Sequence, residues 1–296
     1  MNRITVVGST NTDMVVMAER FPAPGETILG GQFFLFAGGK GANQAVAAAR
    51  LGGQVRFVTR VGEDSFGRQA VEGFLREGID CSAVSIDDRR ASGTALITVN
   101  AAGENTIVVA PGANEALTPE RLQYLDLAPD EFVLTQLETP LETVQALARR
   151  TDHLILNPAP ARDLPDSLLR RLFLITPNET ELHLLTGLPV TEEGNSVVAA
   201  AQALLAKGVQ QVIVTLGRAG ACYVGHDQTF FVPAPSVRAV DTTAAGDVFN
   251  GGLVVALAEG QSIRDAVAFA VRAASISVTR MGAQASAPLR SELNSA

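Results

Sequence analysis

The chain has 296 residues, 47% of them hydrophobic, and a formal net charge of −8 at pH 7. That length and apolar share fit one large α/β domain with a small accessory lobe and exclude a disordered chain. An acidic balance without any Lys/Arg run argues against an extended nucleic-acid surface, because neutralising phosphates takes clustered cations; a small anionic ligand is still compatible. The only cysteines, Cys81 and Cys222, form no CxxC pattern, and His153, His183 and His226 have no ligand-like spacing. Neither a disulfide framework nor a zinc site is expected. The first residues run straight into ITVVG without a charged leader, and the apolar stretches are too short or interrupted for a membrane span. A cytoplasmic, soluble protein is expected.

From the N terminus, ITVVG (4–8) reads as a buried strand. GSTNTD follows and places Asn11 and Asp13 beyond the strand's carboxyl end, where open α/β sheets bind ligands. Residues i and i+2 of an extended segment point the same way, so this pair could grip adjacent hydroxyls; capping a turn is the plainer use. Residues 14–37 read as extended segments joined by turns. GGKG then opens the alanine-rich helical pattern ANQAVAAARLGG (42–53). Gly38 and Gly39 allow a ligand close to the backbone, Lys40 adds a positive donor and Asn43 a donor or acceptor, although a glycine turn with a solvated lysine has the same sequence. VRFVTRVG (55–62) is the next strand and SFGRQAVEGFLREG (65–78) the next helix, stopped by Gly78. Residues 91–110 predict a hairpin turning at Asn100–Asn105. Together, 14–37 and 91–110 are read as a small β-sheet lid over the α/β body, the alternative being an antiparallel edge of the main sheet.

FVLTQL (132–137), HLILNP (153–158), LFLITP (172–177) and VIVTLG (212–217) lack polar alternation, as strands covered on both faces do. The intervening helical patterns TELHLLTG (180–187) and SVVAAAQALLAKG (196–208) end in glycine. This alternation predicts a doubly wound, mainly parallel α/β fold. After LFLITP, Pro177 suits a helix's first turn and Glu179 and Glu181 suit its macrodipole; one of these acids could instead hold a hydrated Mg²⁺ through water. TLGRAG (215–220) could expose amides to a phosphate or let a flat base approach. GxxxxGK[ST] is absent, which excludes a P-loop, and no GxGxxG follows the first strand, which weakens a nicotinamide oxidoreductase.

In VDTTAAGDVFNGG (240–252), Thr243 reads as the N-cap of a helix whose apolar face is Ala245, Phe249, Leu253 and Leu257. Ala244, Ala245 and Gly246 keep the helix mouth uncrowded, so its amides are free to stabilise negative charge. Asp247 beside such an anion site is unfavourable for binding, since like charges repel. It makes sense as a base close to both a hydroxyl and the phosphoryl group which that hydroxyl attacks.

In order and over nearly the whole chain, GSTNTD, GGKGANQAVAAA, TQLE, LNPAPAR, TPNETE, TLG-x-x-G, DTTAAGDVFNG and TRMGAQAS resemble the ribokinase-like carbohydrate kinases, also called phosphofructokinase-B-like, and most of all their ribose-phosphorylating members. The resemblance implies ATP-dependent phosphorylation of a primary sugar alcohol, here D-ribose to ribose 5-phosphate, with Mg²⁺ required and K⁺ activating. It implies Asp247 as the base for the 5-hydroxyl and the amides of Ala244, Ala245 and Gly246 as the anion hole. Asn11, Asp13, Gly38, Gly39, Lys40, Asn43 and Glu138 of TQLE resemble the sugar contacts. Asn178, Thr215, Gly217, Gly220 and Gly246 resemble the ATP contacts, and Glu181 the Mg²⁺ ligand through water. Asp241, Thr243, Ser277, Arg280, Gly282 and Ser286 resemble the K⁺ loop, most of them through backbone oxygens. The lid resembles the sheet through which such kinases pair as homodimers. In FAVRAAS, Val271 stands where relatives often carry a polar residue, so an apolar adenine contact is expected there. The alternatives are a kinase for another sugar or nucleoside, such as deoxyribose, and a non-catalytic sugar or nucleotide sensor on the same fold.

Overall fold

The uninterrupted apolar runs become strands buried on both faces, as their composition requires. The structure, a computed structural model, describes residues 2–191 and 194–293. In chain order its strands begin with β1 (Ile4–Val7), β2 (Asn11–Met17), β3 (Gln32–Gly38), β4 (Val55–Val58), β5 (Arg60–Gly62), β6 (Ser85–Asp87), β7 (Gly93–Val99) and β8 (Asn105–Ala110). They continue with β9 (Phe132–Thr135), β10 (Leu154–Leu156), β11 (Leu174–Ile175), β12 (Gln211–Thr215), β13 (Ala221–Gly225) and β14 (Thr229–Val232).

The main sheet runs β14-β13-β12-β11-β10-β9-β1-β4, parallel from β4 through β12 and closed at one edge by the antiparallel β13 and β14. Helices Lys40–Arg50, Ala245–Ala258 and Ile263–Ser277 pack on one face through a core that includes Val6, Leu134, Leu253 and Ala270. Helices Leu141–Leu147, Asp166–Leu169, Glu179–Thr186 and Gly194–Ala206 cover the other through Val7, Leu156, Leu182 and Leu204. This is the doubly wound fold expected. The chain leaves β1 toward β4 on one side and later returns to β9 on the other. Strand order therefore reverses between β1 and β9, and the crevice beyond their carboxyl ends is the place where such sheets bind ligands.

A separate four-stranded sheet runs β3-β2-β7-β8, with β2 and β7 parallel and the outer pairs antiparallel. Its central strand β2 starts at Asn11, so the sheet is rooted at the ligand crevice. Apolar side chains on it remain exposed, among them Phe33, Leu35, Ile107 and Val109. The expected strand VRFVTRVG is two strands. Val55–Val58 joins the main sheet, whereas Arg60–Gly62 pairs with β6. The physical reason is Arg60, a buried cation that must meet an anion; its Nε lies 2.8 Å from the Asp87 carboxylate across that second pairing. Among the described residues no helix is long and apolar enough to cross a membrane.

Candidate active site

Asp247 lies in the first turn of helix Ala245–Ala258 and is 6% exposed. The N-cap is Ala244, in the left-handed conformation at φ 60°, and not Thr243 as the sequence suggested. Thr243 instead gives its amide to the Asp241 carboxylate at 2.9 Å, which holds the chain away from ordinary capping geometry. A left-handed alanine costs roughly 1–2 kcal/mol, and strain of this kind concentrates at functional sites. The first intrahelical bond runs from the Val248 amide to the Ala244 carbonyl at 2.9 Å, so the amides of Gly246 and Asp247 precede the ladder. The Ala245 amide is turned to the Thr242 carbonyl at 3.2 Å. A methyl group added at Gly246 would meet nothing within 4 Å, so the helix mouth is open.

Amides enclose the Asp247 carboxylate. Its Oδ1 accepts from Gln44 Nε2 and its Oδ2 from Asn43 Nδ2, each at 2.9 Å. Gln44 Nε2 also donates to Asn157 Oδ1 at 3.0 Å, and Gln44 Oε1 accepts from Gln136 Nε2 at 2.5 Å. Asn250, one turn beyond Asp247, donates to the Gly246 carbonyl at 2.8 Å and accepts from the Thr176 hydroxyl at 2.7 Å. The sequence reading gave no role to Gln44, Gln136, Asn157 and Asn250, although they lie within the motifs GGKGANQ, TQLE, LNPAPAR and DTTAAGDVFNG. Small residues make the arrangement possible. A Cβ at Gly251 would lie 2.7 Å from that of Ala47, so helices Lys40–Arg50 and Ala245–Ala258 approach closely enough for these short side chains to meet. Burial raises the Asp247 pKa, while Lys40 and the amides of Asn43 and Gln44 oppose the rise.

Asn11 and Asp13 open β2 on one side of the strand, and a Cβ at Gly38 would come 2.3 Å from the Asp13 carboxylate. Burial, then Glu138, then Asp247 push the Asp13 pKa up to about 6. Three carboxylates therefore share one enclosure. Lys40 is their counter-charge: burial lowers its pKa, but Asp247, Glu138 and Glu181 outweigh that and raise it. Glu138 also builds the helix start, because Gly39 offers no side-chain cap. Its Oε2 accepts from the Ser9 hydroxyl at 2.5 Å and from the Lys40 amide at 3.0 Å. Asn43 Oδ1 is buried without a hydrogen-bond partner among the described residues. A buried acceptor left unpaired costs about 1–3 kcal/mol, which a ligand hydroxyl would remove.

Farther along the same edge, Asn178 caps helix Glu179–Thr186 in a reciprocal box: its Oδ1 accepts from the Glu181 amide at 2.8 Å, and Glu181 Oε2 accepts from the Asn178 amide at 2.9 Å. Pro177 precedes this cap, outside the helix's first turn, and its carbonyl accepts from the Thr215 amide at 3.0 Å. Burial raises the Glu181 pKa, the Asn178 amide and Lys40 lower it and Asp247 raises it, so Glu181 is within electrostatic reach of Lys40 and Asp247. Beyond Thr215, Gly217–Ala219 make one 3-10 turn, with Gly217 and Gly220 both at positive φ.

Asp241 fastens two segments together, since its Oδ2 accepts from the Gly282 amide at 2.9 Å while its Oδ1 holds Thr243. The hydroxyls of Ser277 and Ser286 donate to the carbonyls of Ala274 and Ala283, and Arg280 pairs with Glu292. With those side chains engaged, backbone carbonyls are the donors this loop has left for a cation. Among the described residues no group of three or more His, Cys, Asp or Glu is placed to hold a metal. Val271 is 4% exposed and packs in the core on helix Ile263–Ser277.

The family model described as pfkB family carbohydrate kinase matches residues 1–290. A ribokinase from Haemophilus influenzae is 44% identical over 295 residues, covering 98% of this chain and 96% of that protein. A deoxyribokinase from Salmonella typhimurium is 39% identical, covering 98% and 97%. The solved structure of Arabidopsis thaliana ribokinase complexed with ribose and ATP matches with a TM-score of 0.90 at 33% identity, covering 99% of this chain and 98% of that one. On a match that spans the doubly wound body and every segment of the site just described, this chain belongs to the pfkB family of carbohydrate kinases.

Proposed function

We propose that this kinase transfers the terminal phosphoryl group of ATP to the 5-hydroxyl of D-ribose. The observation that carries the proposal is Asp247, a buried carboxylate in the first turn at an open helix mouth, held by the side-chain amides of Asn43 and Gln44 and close enough to Asp13 and Lys40 to feel their charges. Asn11, Asp13, Lys40 and Asn43 hold the sugar with its primary hydroxyl toward Asp247. Asp247 takes the hydroxyl proton as that oxygen attacks the γ-phosphorus; the bond from phosphorus to the β–γ bridging oxygen breaks, and ADP leaves with the electron pair. The amides of Ala244 and Gly246 meet the charge on the phosphoryl oxygens. Asn178 and Thr215 line the ATP side, where Glu181 would hold Mg²⁺ through water; when bound, that ion offsets phosphate charge. Carbonyls of the loop that Asp241 fastens would hold K⁺. Because Asp241 and Thr243 lead directly into Ala244–Gly246, order in that loop sets the shape of the anion hole.

A second reading, phosphorylation of 2-deoxyribose, is favoured by the similarity to the Salmonella typhimurium deoxyribokinase. A site built to bond a hydroxyl rejects the analogue lacking it, because its buried polar groups are left unpaired. Specificity constants from ADP release, with Mg²⁺ and with or without K⁺, are expected to favour ribose by at least about tenfold and to rise with K⁺. A preference for deoxyribose reverses the substrate assignment, and the absence of ADP release with every sugar tried would leave a non-catalytic sensor.

The Asp13 carboxylate gives the sugar step a pH signature. With a pKa of about 6, Asp13 is charged above that pH and protonated below it, where it loses acceptor capacity. The KM for ribose is therefore expected to rise about tenfold per unit as pH falls below about 6, with KM for ATP unaffected. Asp13→Asn should abolish the dependence, and an unchanged slope in that variant contradicts the assignment. The exposed apolar side chains of the four-stranded sheet support its pairing with a second copy in a homodimer. Light scattering at working concentration checks this, with a monomer as the contrary result.

A further inference from the structure

Asn114 lies in the turn Gly112–Ala116 that follows β8 and is 2% exposed. Its Oδ1 accepts from the Thr10 amide at 2.9 Å, and its Nδ2 donates to the Thr10 carbonyl at 3.2 Å and to Asn11 Oδ1 at 2.8 Å. The first two partners are backbone groups, whose donor and acceptor roles are fixed. They allow one orientation of the Asn114 amide, because exchanging its oxygen and nitrogen would set N–H against N–H and lone pair against lone pair. Since Asn114 Nδ2 is a donor, the Asn11 atom that it meets must be the carbonyl oxygen. The Asn11 amide is fixed in turn, and its Nδ2, which donates to no described residue, is the end left for a ligand.

We propose that Asn114 is a positioning residue that makes Asn11 a hydrogen-bond donor to the sugar. The inference rests on the reading of Asn11 as a sugar contact. It adds a chemical rule for what the site accepts. Asn11 offers a donor and Asp13, two residues on, offers an acceptor, so the group between them must accept one hydrogen bond and donate another. A hydroxyl does both; a hydrogen does neither and a fluorine cannot donate. The rule also ties the sugar contact to the far strand of the small sheet, because the turn that carries Asn114 is the continuation of β8.

The test is a double-mutant cycle of Asn11→Ala and Asn114→Asp, with KM for ribose, KM for ATP and kcat measured separately. Asn114→Asp keeps the shape and the acceptor for the Thr10 amide. It sets an oxygen against Asn11 Oδ1, so the Asn11 amide turns over and presents oxygen to the sugar. Alone, Asn114→Asp is expected to raise KM for ribose about tenfold or more, with kcat and KM for ATP within about twofold. In the Asn11→Ala background it should add less than about twofold, because no amide remains to orient. An Asn114→Asp effect of equal size in both backgrounds marks a structural role and overturns the proposal, as does an unchanged KM for ribose in Asn114→Asp alone. If Asn11→Ala by itself leaves KM for ribose unchanged, the sugar-contact reading fails as well. Should Asn114→Asp not fold, Asn114→Ser completes the same cycle; it removes the donor to Asn11, and about a threefold rise that vanishes with Asn11→Ala is the expected result.

Discussion

Replacing Asp247 with asparagine is expected to lower kcat by about 10²–10⁴-fold while nucleotide binding stays within a few-fold. The exchange preserves volume in a closely packed first turn, where Asp247 is 6% exposed. One amide bond, from Gln44 or Asn43, can still be accepted, but the carboxamide cannot take the hydroxyl's proton. Of the proposed ATP contacts, Asn178 and the turn after β12 lie on other elements, and the Gly246 amide is main chain, so an isosteric side-chain exchange gives them no reason to move. Nucleotide titration and single-turnover ADP formation separate the two effects. Turnover near that of the parent enzyme would remove Asp247 from the role of base.

Gly41→Ala is the second large effect and acts through the backbone. A Cβ at Gly41 would lie 2.6 Å from the Gly8 carbonyl carbon and 2.6 Å from the Ser9 nitrogen, where only main chain could yield. Helix Lys40–Arg50 must then retreat from the turn after β1, taking Lys40, Asn43 and Gln44 away from Asp13 and Asp247. The expected cost is about 3 kcal/mol of stability. An ångström of misplacement further lowers kcat/KM about 10²-fold. A urea midpoint and steady-state kinetics read both. Gly73→Ala is the control: it lies within helix Ser65–Arg76, and its Cβ would meet only Arg76 Nη2, at 3.9 Å. There alanine's helix preference should leave stability unchanged or raise it by about 1 kcal/mol. Equal losses in the two variants would show that crowding at the turn after β1 is not the cause.

The contrast between these glycines shows what was legible in the sequence. The apolar runs announced buried parallel strands, because these depend on residues that are neighbours in the chain; GGKG was read as a place for a ligand near the backbone, and the packing of Gly41 on the turn after β1 was not foreseen. The break inside VRFVTRVG was not legible, since it follows from Arg60 finding Asp87, 27 positions away. Thr243 looked like a cap because Ser and Thr usually are caps; the Asp241 carboxylate overrides that preference by reaching Gly282, 41 positions away. The amides around Asp247 were the hardest to see. Gln44 and Asn43 meet it across more than 200 positions, so even with both inside GGKGANQ nothing local shows that their amides hold that carboxylate. Asn114 reaches Asn11 across 103 positions and was silent for the same reason.

The central assignment, phosphoryl transfer to the 5-hydroxyl of ribose, is tested most directly by the proton-coupled ³¹P spectrum of the product formed from ribose and ATP. A monoester at C5 has two protons on its ester carbon and splits the phosphorus signal into a triplet. That triplet, growing in step with ADP, is the predicted result. A doublet, which places the phosphate on a carbon bearing one proton, or ADP formed without any sugar phosphate, would contradict it.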